Sequence, residues 1–181
     1  MHFEWAFGLT GSAVDVGRDP ASRAEPVLLG GRYRLHGSID LIEEHATRKT
    51  LRVTDHKTGK VRVKDGFIVD GGRSLQPVLY SMALEAAMER VVEEGRLYYA
   101  TTDGSFTSMA VPLNDVTRRM GIEVLEVIDR SIETGFLAPA PAEGACTWCD
   151  FRPVCGSTVE KRMQRKAPEP LADLDALRRR K

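Results

Sequence analysis

The sequence predicts an α/β domain, and three observations carry that prediction. Short segments alternating apolar and polar residues recur through the first third of the chain and again near residue 100. Two long stretches, about 75–94 and 114–134, instead repeat their apolar residues at helical spacing. Glycine, proline and aspartate punctuate the joins.

In chain order, His2–Gly8 reads as a short strand and 9–25, rich in Gly, Ser, Asp and Ala, as a loop. Pro26–Leu29 resumes a strand, and Gly30-Gly31 turns it. Arg32–Glu44 reads as one long strand. It carries Tyr33, Leu35, Gly37, Ile39 and Leu41 on one face, and Arg34, His36, Ser38, Asp40 and Ile42 on the other. Ala46–Lys49 is a hairpin turn into the next strand, which runs from Thr50 to Lys57. Residues 58–73 connect to a helix over about Leu75–Glu94. Ser74 is its expected N-cap, Pro77 sits in its first turn, and its apolar face is Leu75, Leu79, Met82 and Ala86. Gly95 is read as its stop. A hairpin around Asp103-Gly104 joins strands at Arg96–Thr101 and Ser105–Val111. The second helix, Asn114–Thr134, shows Val116, Met120, Val124, Val127 and Ile128 on one face, with Gly135 as its stop. Residues 168–181 read as a frayed helix or a disordered tail.

At 181 residues the chain suits one domain with room for an appendage. Its 42% apolar and 29% charged residues are those of a soluble globular protein. No apolar run approaches a membrane span, and the N-terminus lacks a basic and then apolar signal segment, so no membrane association and a cytoplasmic location are expected. The net charge is zero but unevenly spread. Residues 32–64 hold nine Lys/Arg against four Asp/Glu, residues 161–181 eight against three, and residues 65–160 seven against fifteen. A polyanion bound at the basic regions would gain from counterion release.

The chemistry concentrates at Thr54-Asp55-His56-Lys57-Thr58-Gly59. On a strand, residues i and i+2 share a face, so Asp55 and Lys57 project together and the His56 side chain is given no role. A carboxylate beside an ammonium at that spacing can hold a divalent metal and position a water. Asp40 lies between Ile39 and Leu41-Ile42, and a buried carboxylate is costly unless it is paired or binds metal. Adjacent antiparallel strands bring Asp40 and Asp55 together near one end of a sheet. Gln76 and Tyr80, spaced i, i+4, share a helix face close to an N-terminus whose partial positive charge favours phosphate.

The ordered set Gly37-Ser38-Ile39-Asp40, Asp55-His56-Lys57-Thr58-Gly59 and Gln76-Pro77-Val78-Leu79-Tyr80 resembles the PD-(D/E)XK nuclease superfamily in its RecB-like branch. The resemblance continues into Gly135-Phe136-Leu137-Ala138-Pro139 and the segment Cys146–Cys155, and covers about residues 30–156. It implies a restriction-endonuclease-like core, a mixed central β-sheet flanked by helices, followed by a cysteine segment. It also implies a Mg²⁺- or Mn²⁺-dependent deoxyribonuclease, expected to be an exonuclease. Asp40, Asp55 and the His56 backbone carbonyl would bind the metal. Lys57 would position the attacking water, and Gln76 and Tyr80 would hold the DNA backbone.

All three cysteines fall within ten residues, Cys146, Cys149 and Cys155, a clustering that argues for metal rather than disulfides. Thiolates suit Fe–S or zinc. The spacing resembles the C-terminal part of the iron–sulfur staple of AddB-type nucleases, which implies a [4Fe–4S] cluster, with Zn²⁺ as the alternative. Here the chain departs from the family: no fourth cysteine exists, and the family's upstream helix has no match. The chain therefore reads as lacking the N-terminal part of the family domain: either it is a fragment or a shortened form, or a partner or a non-cysteine ligand completes the cluster. His36 and His45 are candidate fourth ligands for zinc.

These readings divide the chain into a nuclease core at 1–138, a cysteine segment at 139–165 and a basic tail at 166–181. They lead to a DNA nuclease of recombination or repair. The alternatives are a catalytically impaired DNA-binding remnant, or a structural module of a helicase–nuclease complex in which a helicase subunit or domain is the partner.

Overall fold

The computed structural model describes residues 1–9, 19–136, 139–141, 144–147, 149–167 and 169–181. Most of the loop expected over 9–25 (residues 10–18), Leu137 and Ala138 of the 135–139 motif, and Trp148 of the cysteine segment lie outside the described residues.

Five strands form a mixed central sheet in the order β1-β4-β5-β6-β7. They are β1 His2–Phe7, β4 Gly37–Glu44, β5 Leu51–Lys57, β6 Val92–Tyr99 and β7 Ser108–Pro112. A separate two-stranded ribbon pairs β2 Val27–Leu29 with β3 Tyr33–Leu35. The expected long strand 32–44 is thus two strands broken at His36. Tyr33–Leu35 takes its backbone partner from the ribbon, whereas Gly37–Glu44 pairs with β1 and β5 in the main sheet. The period-2 pattern runs on through a change of partner and cannot reveal it.

β5 and β6 run parallel, joined by the crossover helix α1 Gln76–Met88. Such a connection requires a crossover rather than a hairpin. The helix ends six residues earlier than expected, at the left-handed Glu89 (φ 52°), and β6 begins at Val92. Gly95 is therefore not a helix stop. It lies inside β6, where a Cβ would sit 2.0 Å from the Pro77 carbonyl oxygen and 2.6 Å from Ser81 Oγ. Glycine here lets the strand pass against the first turn of α1, which fixes where Gln76 and Tyr80 stand relative to the sheet. Ser74 does not cap the helix; the N-cap position is Leu75 and no side chain caps it.

α2 Asp115–Glu133 starts at Asn114, whose side chain accepts the N–H groups of Val116 and Thr117 while Thr117 Oγ1 accepts the Asn114 N–H. Gly121 brings α2 against Val78 and Met82 of α1. The buried α2 residues are Thr117, Gly121 and Val124, while Val116 and Ile128 of the expected apolar face are exposed. Helix α1 is covered on two sides, so its buried residues (Val78, Leu79, Ser81, Ala83 and Leu84 among them) do not form one stripe. Trp5, Phe7, Ile39, Ile42, Val53, Leu84 and Val92 form one core cluster; Val69, Val78, Leu97, Val111 and Val124 form a second. Burying each such side chain contributes about 1.5–3 kcal/mol.

Short helices α3 Arg152–Cys155 and α4 Val159–Met163 carry the cysteine segment onward. Of the two expectations for the C-terminus, the helix is the one observed, as α5 Ala172–Arg178. It is docked rather than frayed. The carbonyls of Arg180 and Lys181 accept the N–H groups of Gly71 and Val69 at 3.0 and 2.7 Å, and Leu177 packs on the second core cluster.

Candidate active site

The site is built at the end of the sheet where β4 and β5 part. Their ladder runs from Glu44↔Leu51 to Leu41↔Thr54. Beyond it, Asp40 Oδ2 accepts the His56 backbone N–H at 2.7 Å, so a carboxylate takes the place of a backbone partner. Asp40 remains part-exposed, with 31% of its side chain accessible. Asp55, beside it on β5, has a side chain only 5% exposed.

Lys57 sits two residues on. Its Nζ lies 2.6 Å from Asp55 Oδ2 and donates to Gln76 Oε1 at 2.7 Å. The contact with Asp55 is a short ion pair that partners this buried carboxylate with the Lys57 ammonium. Burial pushes the Asp55 carboxyl above its ordinary value. Lys57 opposes that rise, and the neighbouring Asp40 charge adds to it. Tyr80 is half-buried, packs edge-on against Phe7 with ring centroids 6.1 Å apart, and meets Gln76. Burial also raises its phenol pKa. A Cβ at Gly37 would come within 3.0 Å of the Tyr80 hydroxyl, which explains a glycine at that point of the Gly37-Ser38-Ile39-Asp40 motif.

Asp40, Asp55, Lys57, Gln76 and Tyr80, drawn from β4, β5 and α1, thus converge. The His56 ring is closer to the site than strand alternation implies. Its Nδ1 is 3.7 Å from Asp40 Oδ2 and its ring meets Tyr98 edge-on at 5.9 Å.

One supporting group escaped the sequence reading. Glu43 accepts from Arg52 at 2.9 and 3.0 Å, from Thr54 Oγ1 at 3.0 Å and from Arg96 at 2.9 Å. Burial works against its ionisation, but the two guanidiniums and the hydroxyl outweigh it and hold the carboxyl below its ordinary value. This cluster ties β4, β5 and β6 together directly behind Asp55. Its sequence signal is the cross-strand register that sets Glu43 opposite Arg52.

The cysteines are arranged differently. Cys146 is buried, Cys155 half-buried and Cys149 exposed. Burial raises the Cys146 thiol pKa, and Glu160 and the other two thiols add to the rise. Among the described residues no three His, Cys, Asp or Glu side chains gather as a metal-holding group. A cavity of about 1060 Å³ between α2 and residues 169–177 is mainly apolar and holds none of the predicted site residues. Among the described residues no helix is long and apolar enough to cross a membrane.

A family model described as the PD-(D/E)XK nuclease superfamily matches residues 1–156. No curated protein matches the chain.

Proposed function

Because the chain belongs to the PD-(D/E)XK nuclease superfamily, we propose that it is a metal-dependent deoxyribonuclease working at the Asp40–Asp55–Lys57 end of the sheet. The observation that carries this reading is the pair of carboxylates on adjacent strands, joined by a lysine held between Asp55 and Gln76.

The donor set fits a hard divalent cation. The Asp55 carboxylate is buried beside the Lys57 ammonium, and the part-exposed Asp40 carboxylate stands next to it. Asp40 and Asp55 would hold Mg²⁺ or Mn²⁺, with the His56 carbonyl as a further oxygen donor. When bound, the cation supplies Lewis acidity toward the phosphodiester and lowers the pKa of a nearby water. Lys57 neutralises charge developing on the phosphate and orients the attacking water. Gln76 fixes the Lys57 ammonium and, with Tyr80, meets the DNA backbone, positioning the strand without reading its sequence. The acid pair and its lysine are all present, which favours catalysis over a DNA-binding remnant.

The finer reading is a RecB-like exonuclease of recombination or repair, located in the cytoplasm and working beside a helicase subunit or domain. The ordered motifs and the cysteine spacing support it. The reading of Cys146, Cys149 and Cys155 as ligands of a [4Fe–4S] cluster or Zn²⁺ rests on that spacing alone, and no step of the reaction depends on it. Iron or zinc retained through anaerobic purification would support it; protein free of both would remove it.

The main reading is tested by incubating purified protein and Mg²⁺ or Mn²⁺ with end-labelled single- and double-stranded DNA. Cleavage of at least one is expected. Failure to cut either, with no cation binding dependent on Asp40 and Asp55, contradicts it.

A further inference from the structure

Among the described residues, the connection from β5 to α1 (58–75) holds no strand and one short helical turn, Asp70–Gly72. A stretch with so little regular backbone pairing has low local stability of its own. Yet it delivers Gln76, the first residue of α1, whose Oε1 accepts from the Lys57 ammonium at 2.7 Å.

The end of this connection is held by a distant part of the chain. Val69 is fully buried and donates its N–H to the Lys181 carbonyl at 2.7 Å. The Val69 carbonyl in turn accepts from Gly72 and Ser74 at 2.8 and 3.3 Å. Gly71 donates to the Arg180 carbonyl at 3.0 Å. The contact is close. A Cβ on Gly71 would stand 3.0 Å from the Arg178 carbonyl oxygen, and one on Gly72 would stand 3.0 Å from Leu177 Cδ2. Both glycines have positive φ, 63° and 87°, a conformation that strains residues with a side chain. Leu177 packs on the second core cluster. On its other side the segment is fastened to α2, where Glu123 meets Arg180 and Arg130 meets Asp173, each at 2.9 Å. From the braced turn, Ser74 and Leu75 lead directly into Gln76.

We propose that Leu177 and the Arg180-Lys181 backbone are positioning groups for the reaction, acting on Lys57 through the 69–72 turn and Gln76. This inference rests on the nuclease reading for the reaction they serve. The segment lies beyond residue 156, where the match to the superfamily ends, so the support comes from outside the matched part of the chain. If the turn loosens, the Gln76 amide leaves the Lys57 ammonium, which then has only Asp55 to hold it. Misplacing a reacting group by about 1 Å can cost about 10²-fold in rate.

The test compares DNA cleavage and amide exchange in full-chain variants. Leu177→Ala removes the packing, and Leu177→Met keeps most of the volume. Gly71→Ala disturbs the same contact from the other side. At a temperature where each variant is folded, Leu177→Ala and Gly71→Ala should lower kcat about tenfold with KM within a few-fold of wild type. Leu177→Met should restore most of the loss. Leu51→Ala is the control, since Leu51 is buried in the first core cluster at the far end of β5 from Lys57. It should lower stability and leave kcat near wild type; an equal loss of kcat at matched stability would overturn the positioning role. In a Gln76→Ala background, Leu177→Ala should lower kcat no further, because both act on the same contact. Losses that multiply would overturn a route through Gln76. By NMR, the Val69 and Gly71 amides should exchange about tenfold faster or more in Leu177→Ala. The Gln76 side-chain amide resonances should shift, while the amides of β5 and β6 keep their rates. Those changes in a protein that cuts no DNA would leave the brace standing and the nuclease reading fallen. Unchanged exchange at Val69 and Gly71, with an unmoved Gln76 amide, would overturn the brace even if the protein cuts DNA.

Discussion

Asp40 Oδ2 accepts the backbone N–H of His56 at 2.7 Å. That bond ties the carboxylate of β4 to the strand that carries Asp55 and Lys57, one step beyond the last backbone rung at Leu41↔Thr54. The bond holds the two strands together as they open and brings the acidic groups side by side. Asp40→Asn keeps an acceptor for the His56 N–H. It should fold with a midpoint close to wild type and lose cleavage by about 10²-fold or more. Asp40→Ala should in addition lose about 1–2 kcal/mol of stability, because the N–H is left without its partner. Denaturant titration beside the cleavage assay separates the two effects.

Glu43 makes an acid-sensitive support behind the site. Its carboxyl is held below the ordinary value by Arg52, Arg96 and Thr54 against the cost of burial. A depressed carboxyl pKa gives stability that is full above the unfolded-state value and is lost as pH falls through the folded-state value. Glu43→Gln should therefore be less stable than wild type at neutral pH. The gap should narrow as pH is lowered through the acid range. Thermal midpoints across that range check this; a constant gap would contradict it.

Gly95 is where β6 meets α1. A methyl group there would stand 2.0 Å from the Pro77 carbonyl oxygen. Gly95→Ala should cost about 2 kcal/mol or more, read from denaturant unfolding, because backbone rather than a flexible side-chain tip must give way. A substitution at a mere helix stop in an exposed turn would cost far less.

The acidic pair and its lysine were legible because a strand puts i and i+2 on one face and a hairpin sets its neighbour in register. Asp40, Asp55 and Lys57 therefore converge from local rules alone. Gly95 was misread because a glycine that ends a helix and one that lets a helix approach a strand look alike in sequence. The break at His36 was hidden because apolar alternation continues while the backbone partner changes from β2 to β1 and β5. Val116 and Ile128 fit the helical period of α2, but α1 covers a narrower face, centred on Gly121 and Val124. The polar tail gave no sign of docking, since two of its contacts are backbone carbonyls of Arg180 and Lys181, which side-chain patterns do not encode. The cysteine spacing was plain to read, but spacing does not specify how the three thiols are placed in space.

The most direct test of the central claim compares wild type with Asp55→Asn and Lys57→Ala for both DNA cleavage and DNA binding in the presence of Mg²⁺ or Mn²⁺. The account predicts that each variant loses cleavage by about 10²–10³-fold while retaining DNA binding within a few-fold of wild type. Cleavage that survives both substitutions at near wild-type rates would contradict it, since the phosphodiester would then be cut without this acid–lysine pair.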